Sequence, residues 1–373
     1  MPLNKDSTNQ NIQCIDLVRS LAILMVMAGH LKPTLPLPPP AFRWGWDHFQ
    51  RTGPDGVLVF FLVSGFLITR IIDEGLGGIL QPKWKYFYIR RIARLLPLFL
   101  FQICLGLILV WLFSDGSKKF IYCFKLPDPG TEFSFWVSLF TFSFNWGSAV
   151  FSKAWNGVGH HWSIFWSLAV EEQFYLFYPL ILGFLGKLKN VVGFLLFAAL
   201  VSFSGGFLLN AMGVVVPVDV AGYLFSYGHI AAGALLYLLV KRYGSFFSKN
   251  SRVSFILMAA GLVLMLPVFI SDWGRVNFLI APGIFLFLLG GIHLRFFQSG
   301  YLKLLAAPGK YSYGNYLFHV AVLFFIHPFL WNLNIILAFA VFVILSTVIS
   351  ALSFRFFETP ANRWVRETGN SFS

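Results

Sequence analysis

Long apolar runs separated by short polar segments repeat along the whole chain, and each approaches the ~20 residues an α-helix needs to cross a bilayer. The pattern predicts ten spans, at about 15–32, 56–72, 95–113, 164–184, 190–209, 220–240, 253–271, 277–294, 313–331 and 334–354. The aromatic stretch Phe133–Phe151 is apolar too, but its Ser, Thr, Asn and Gly content suits an interfacial or re-entrant segment rather than an eleventh span. The Pro-rich stretch Lys32–Pro40 reads as a stiff outer connector. No small-residue cleavage site follows the first run, which itself carries charge, so no cleavable signal peptide is expected. The chain therefore reads as an all-α polytopic integral membrane protein, one domain over 1–373 with a short tail from 355.

Composition agrees. Hydrophobic residues make up 57% and charged residues 12%, and the mean hydropathy is +0.73, far from the balance of a soluble domain. With the N-terminus inside, 19 Lys and Arg fall on the inner side and 8 on the outer, with Arg19 within a span. The positive-inside rule then expects both termini in the cytoplasm. Topology and anionic lipid explain the net charge of +13, so no nucleic-acid partner is implied. The three cysteines, Cys14, Cys104 and Cys123, lack metal-ligand or redox spacing and receive no function.

Chemistry enters through the ionisable residues inside these runs. Arg19 and His30 are eleven residues apart in the first span, so they share a helix face about 16 Å apart along the axis. Charges at such depth usually line a cavity or pathway; the alternative is an arginine snorkelling to one interface and a histidine in the headgroups of the other. Glu171 and Glu172 lie one to two turns into the expected fourth span, at the depth of His30, where a carboxylate would orient a histidine base. They point about 100° apart, so one of the two is expected to face the cavity. The segment KWKYFYIRRIARLLP puts Arg90, Arg91 and Arg94 ahead of a helix capped by Pro97, with Arg91 and Arg94 on one face. Guanidinium forks suit the phosphates of a nucleotide or CoA; lipid anchoring is the competing explanation. Ser64 and Gly65 permit close helix approach. Tyr313, Tyr316 and His319 run along one apolar helix, and His160, His161 and Trp162 precede the fourth span near the outer surface. These are candidates to line the cavity or meet an acceptor, against structural roles. No hydrolase elbow, zinc helix, Walker loop or dinucleotide fingerprint appears, and no metal is expected.

Several of these segments together resemble the membrane acyltransferase family 3, multi-spanning enzymes that O-acylate glycans, lipids or small molecules. The resemblance runs from Ile15 to about Trp364. It rests on Arg19-x10-His30, GVLVFFLVSGFLIT, the Arg91-x-x-Arg94 of RRIARLLP, WSLAVEEQFYLFYP, SYGNYLFH and FETPANRW, in that order. It implies that His30 is the catalytic histidine with Arg19 as partner, and that Glu171 or Glu172 is the essential acid. Arg91 and Arg94, with Arg90 beside them, would hold acyl-CoA at the cytoplasmic side. It also implies a bacterial inner membrane, an acyl-CoA donor substrate (acetyl-CoA first, succinyl or another short acyl group next), no permanently bound cofactor, and a cell-surface or lipid-linked glycan as acceptor. Members often carry a further SGNH-type domain after the spans. The sequence ends at Ser373, so a member without that domain is expected, served by a separate extracytoplasmic transfer protein or reaching its acceptor directly. On this reading the donor's arm passes Arg19 to His30, which takes a proton from the acceptor hydroxyl while a glutamate stabilises the imidazolium. Trp136, Trp146, Trp155 and Trp162 suit either sugar stacking or interface anchoring. The rival is a transporter or flippase for an anionic or lipid-linked substrate.

Overall fold

A computed structural model describes residues 5–31, 40–113, 123–151, 155, 158–212, 218–270, 279–330 and 332–371. The described residues form helices and no strands. The principal helices are α1 (Lys5–His30), α2 (Pro40–Arg51), α3 (Gly53–Gly75), α4 (Trp84–Phe113), α5 (Glu132–Phe140), α6 (Phe144–Val150) and α7 (Phe165–Leu185). They continue with α8 (Leu188–Ala211), α9 (Val218–Lys249), α10 (Ser251–Ile270), α11 (Ile280–Gly291), α12 (Ser312–Leu330), α13 (Ile335–Ser353) and α14 (Thr359–Ser371). Among the described residues nine helices are long and apolar enough to cross a membrane. The expected span at 277–294 begins outside the described residues, and its described part holds the twelve-residue α11, packed against α10. Most of the Pro-rich connector, together with Lys118, Lys119, Lys153 and Arg275, lies outside the described residues.

α1, α3 and α9 form the centre, and missing side chains set their spacing. A Cβ on Gly65 would run into the Ile230 carbonyl of α9, and one on Gly233 would run into the Leu62 carbonyl of α3. The two backbones therefore touch where Phe61, Phe66, Ile230 and Ala234 are fully or almost fully buried. Without a hydrophobic force between helices in lipid, such small-residue contacts drive association. Gly233→Val is accordingly expected to abolish the monodisperse detergent-solubilised peak on size exclusion. Gly193→Ala, where a Cβ meets nothing within 4 Å, is expected to leave it intact.

Three departures from the sequence pattern matter for the site. First, α4 runs thirty residues straight through Pro97, so Arg91 and Arg94 lie inside a membrane-length helix, not ahead of one capped by proline. Second, the fourth span begins at His160, a short turn His160–Ser163 running into α7. Third, the last span does not give way to a simple tail. α13 passes through a π turn, Phe354–Glu358, into α14. Pro360 explains the turn: it has no N–H for the Phe356 carbonyl and its ring crowds that carbonyl. The ladder instead closes with the Thr359 N–H on the Phe354 carbonyl, five residues back.

The aromatic stretch 133–151 forms the short helices α5 and α6, joined by a bend in which Phe142 adopts φ 51°. It is pinned to mid-α7: Gln173 Nε2 donates to the Phe142 carbonyl (2.6 Å) and to Asn145 Oδ1 (2.8 Å), and Trp146 Nε1 donates to Gln173 Oε1 (3.1 Å). No disulfide joins Cys14, Cys104 and Cys123, and Cys14 and Cys123 are buried.

Candidate active site

The polar residues sort into two levels along α1. At its end, the His30 ring meets His319 of α12 edge-on at 4.8 Å between centroids and His160 at 5.1 Å. His30 Nδ1 lies 2.9 Å from the Val26 carbonyl, and His319 Nδ1 lies 2.7 Å from the Tyr316 carbonyl. A carbonyl only accepts, so each Nδ1 carries the proton and Nε2 is the basic nitrogen of the neutral ring. His319 is fully buried, and its Nε2 has no hydrogen-bond partner among the described residues.

The carboxylates are not at this level. Because the fourth span begins at His160 beside His30, Glu171 sits eleven residues, about 16 Å, further along an antiparallel helix. That is the depth of Arg19. The expectation that a glutamate flanks His30 is therefore corrected: both glutamates face Arg91. Arg91 Nη2 lies 2.9 Å from Glu172 Oε1 and 3.7 Å from Glu171 Oε2. Its guanidinium carbon lies 3.8 Å from the centroid of the Tyr175 ring. Tyr175 in turn donates to Glu171 (3.3 Å) and shares a short hydrogen bond with Ser64. Arg19 pairs with Asp16 at 3.1 Å.

Two cavities meet here. The inner one, about 110 Å³, is lined by Arg19, Ser64, Arg91, Arg94, Glu171, Tyr175, Tyr313 and Tyr316 among apolar residues of α3, α4 and α7. Of the glutamate pair, Glu171 faces this cavity, while Glu172 does not line it. The second, about 470 Å³, is a charged basin between α4, the start of α12 and the π turn. Arg19, Arg94 and Tyr313 line both and form their junction. Tyr313 is held by a hydrogen bond to the Leu95 carbonyl (3.2 Å). The inner cavity ends at Tyr316, whose hydroxyl bonds Ser167 Oγ (2.7 Å) and the Ile164 carbonyl (3.0 Å). Its ring lies 5.8 Å from that of His319, so one tyrosine stands between the cavity and the histidines.

Other candidates fall elsewhere. Arg90 is exposed and lines neither cavity. His161 and Trp162 are fully buried in structural roles, His161 Nε2 donating to the Gln102 carbonyl (2.9 Å) and Trp162 Nε1 to the Phe124 carbonyl (3.0 Å). The neighbour that joins His30 is His160, one residue and about 100° away. No group of three or more His, Cys, Asp or Glu among the described residues is arranged to hold a metal ion.

Residues 12–355 match the family model described as an acyltransferase domain. Peptidoglycan O-acetyltransferase OatA of Listeria monocytogenes is 32% identical over 180 residues, which is 48% of this chain and 25% of that protein. The putative peptidoglycan O-acetyltransferase YrhL of Bacillus subtilis is 30% identical over 179 residues, again 48% and 25%. O-acetyltransferase OatA of Staphylococcus aureus is 24% identical over 368 residues, 94% of this chain and 57% of that protein. The matches thus span between a quarter and 57% of these relatives' own lengths. No solved structure matches significantly. With nine membrane-length apolar helices among the described residues and a family match over most of its length, the chain is a multi-pass membrane protein belonging to the acyltransferase family 3.

Proposed function

We propose that this protein is a membrane O-acetyltransferase, carrying an acetyl group from cytoplasmic acetyl-CoA to a hydroxyl of a cell-wall glycan outside a bacterial plasma membrane. The observation that carries this reading is the arrangement along α1. A cationic basin at Arg19 leads into a narrow cavity directed toward a histidine cluster about 16 Å away, separated from it by Tyr316. The names of the relatives point to peptidoglycan as the acceptor class. The bias of Lys and Arg favours the basin facing the cytoplasm and His30 facing outward.

The thioester enters as an extended arm past Arg19 and Tyr313. Tyr316 must release Ser167 for the acyl carbon to reach His30. There, His30 Nε2 takes the proton of the acceptor hydroxyl as its oxygen forms a bond to the acyl carbon. The carbon–sulfur bond then breaks, and the imidazolium returns that proton to the departing thiolate. The His160 and His319 rings flank that of His30. Glu171 and Glu172 act indirectly, holding Arg91 and Tyr175 so that the arm's passage keeps its shape.

Mass spectrometry of cell-wall fragments tests the reading. Cells expressing the protein are expected to carry fragments heavier by one acetyl group, absent from cells without it. Correctly inserted protein with no acyl increment on any wall glycan would reject this acceptor and donor.

A further inference from the structure

We propose that the basin between α4, α12 and the π turn is a binding site for the phosphorylated nucleotide end of the donor, with Lys310 and Arg363 as its phosphate ligands alongside Arg94. The proposal rests on the reading that the donor is an acyl-CoA, and it moves the anion site away from the Arg91–Arg94 pair.

The charges decide the matter. Arg91 is already committed, within hydrogen-bond distance of Glu172 and 3.7 Å from Glu171. Arg94, Lys310 and Arg363 all line the basin, and none has a carboxylate within 4 Å among the described residues. The other charges on the wall are Arg19, which is tied to Asp16, and the single carboxylate of Glu358, which accepts from Ser353 Oγ at 3.2 Å. Cations facing a common void repel one another unless an anion occupies it, and guanidinium groups prefer phosphate oxygens in a fork.

The rest of the wall favours a nucleotide over bare phosphate. Tyr311 and Phe354 stand edge to face, with centroids 5.7 Å apart, and offer flat apolar surface to a base. Asn362 Oδ1 is buried without a hydrogen-bond partner, an acceptor suited to an exocyclic amine or ribose hydroxyl. The volume of about 470 Å³ falls within the range of small-molecule sites. The junction at Arg94 and Tyr313 leads the remaining arm into the narrower cavity.

An anionic lipid headgroup offers the same phosphate chemistry, so the test must separate the two. The full chain, wild type and Lys310→Gln/Arg363→Gln, is reconstituted in phosphatidylcholine nanodiscs with and without phosphatidylglycerol. Calorimetry then measures the affinity of CoA, 3′-phosphoadenosine 5′-diphosphate and S-acetylpantetheine. Both side chains are exposed and free of ion pairs, so the variant is expected to fold, and S-acetylpantetheine affinity serves as the control. The expected result is a tenfold or greater loss of affinity for CoA and the bisphosphate, with S-acetylpantetheine unchanged. Unchanged CoA affinity in the double variant overturns the proposal while leaving the acyl-CoA reading intact. Loss of bound phosphatidylglycerol at unchanged CoA affinity overturns it in favour of a lipid site. A wild-type protein that binds neither CoA nor S-acetylpantetheine overturns both.

Discussion

His30→Ala is expected to lower the rate of acetyl transfer by about 10²–10⁴-fold while the protein still inserts and folds, the range typical of a lost general base. The hydrogen bond from Nδ1–H to the Val26 carbonyl fixes the ring within its own helix. Removing the imidazole deletes the basic Nε2 together with this intrahelical hydrogen bond. Turnover by purified protein in liposomes, with labelled acetyl-CoA and a soluble glycan acceptor, gives the measurement. A His30→Ala protein with wild-type turnover would remove His30 from the chemistry and leave His160 or His319 as the candidate base.

The second large effect concerns the buried ion pair. Arg91→Met leaves Glu171 and Glu172 adjacent in the membrane interior without their cation, and breaking such a pair from one side costs about 3–5 kcal/mol. The expected outcome is a steep loss of thermal stability in detergent, or failure to accumulate. Arg91→Met/Glu172→Met is expected to recover much of that loss, because removing both partners leaves no unpaired charge from the pair. Arg94→Met, with no carboxylate within 4 Å among the described residues, is expected to raise the KM for acetyl-CoA with little change in melting temperature. If Arg91→Met melts like wild type and only donor affinity falls, Arg91 serves the ligand and not the glutamates.

Local features were legible in the sequence, and relations between helices were less so. Arg19 and His30 lie on one helix, so helical geometry alone relates them. The same arithmetic misplaces Glu171 and Glu172 because it starts their helix near Ile164, whereas the segment begins at His160; those four residues, about 6 Å, carry the glutamates further from His30, to about 16 Å along the helix for Glu171. That His160 and not His161 meets His30 is a matter of rotation about the helix axis. Adjacent residues point about 100° apart, and nothing within one helix reveals which face its neighbours approach. Pro97 looked like a boundary because proline often is one, yet α4 accommodates it and carries the arginines into the interior. Ser64 and Gly65 were read correctly as a site of close approach, since the absence of a side chain is visible in sequence. The role of Lys310 and Arg363 was hidden in the inner-side charge excess. Charges that set topology look the same in sequence as charges that line a site.

The π turn also acts as a phase shift. It holds one more residue than the α-helical ladder would need, so everything after Glu358 sits about 100° out of register with α13. The face of α14 that carries Asn362 and Arg363 is turned to the basin by that surplus residue. The length of the chain between Ser353 and Thr359 is thus as much a determinant of the basin as the side chains on its wall.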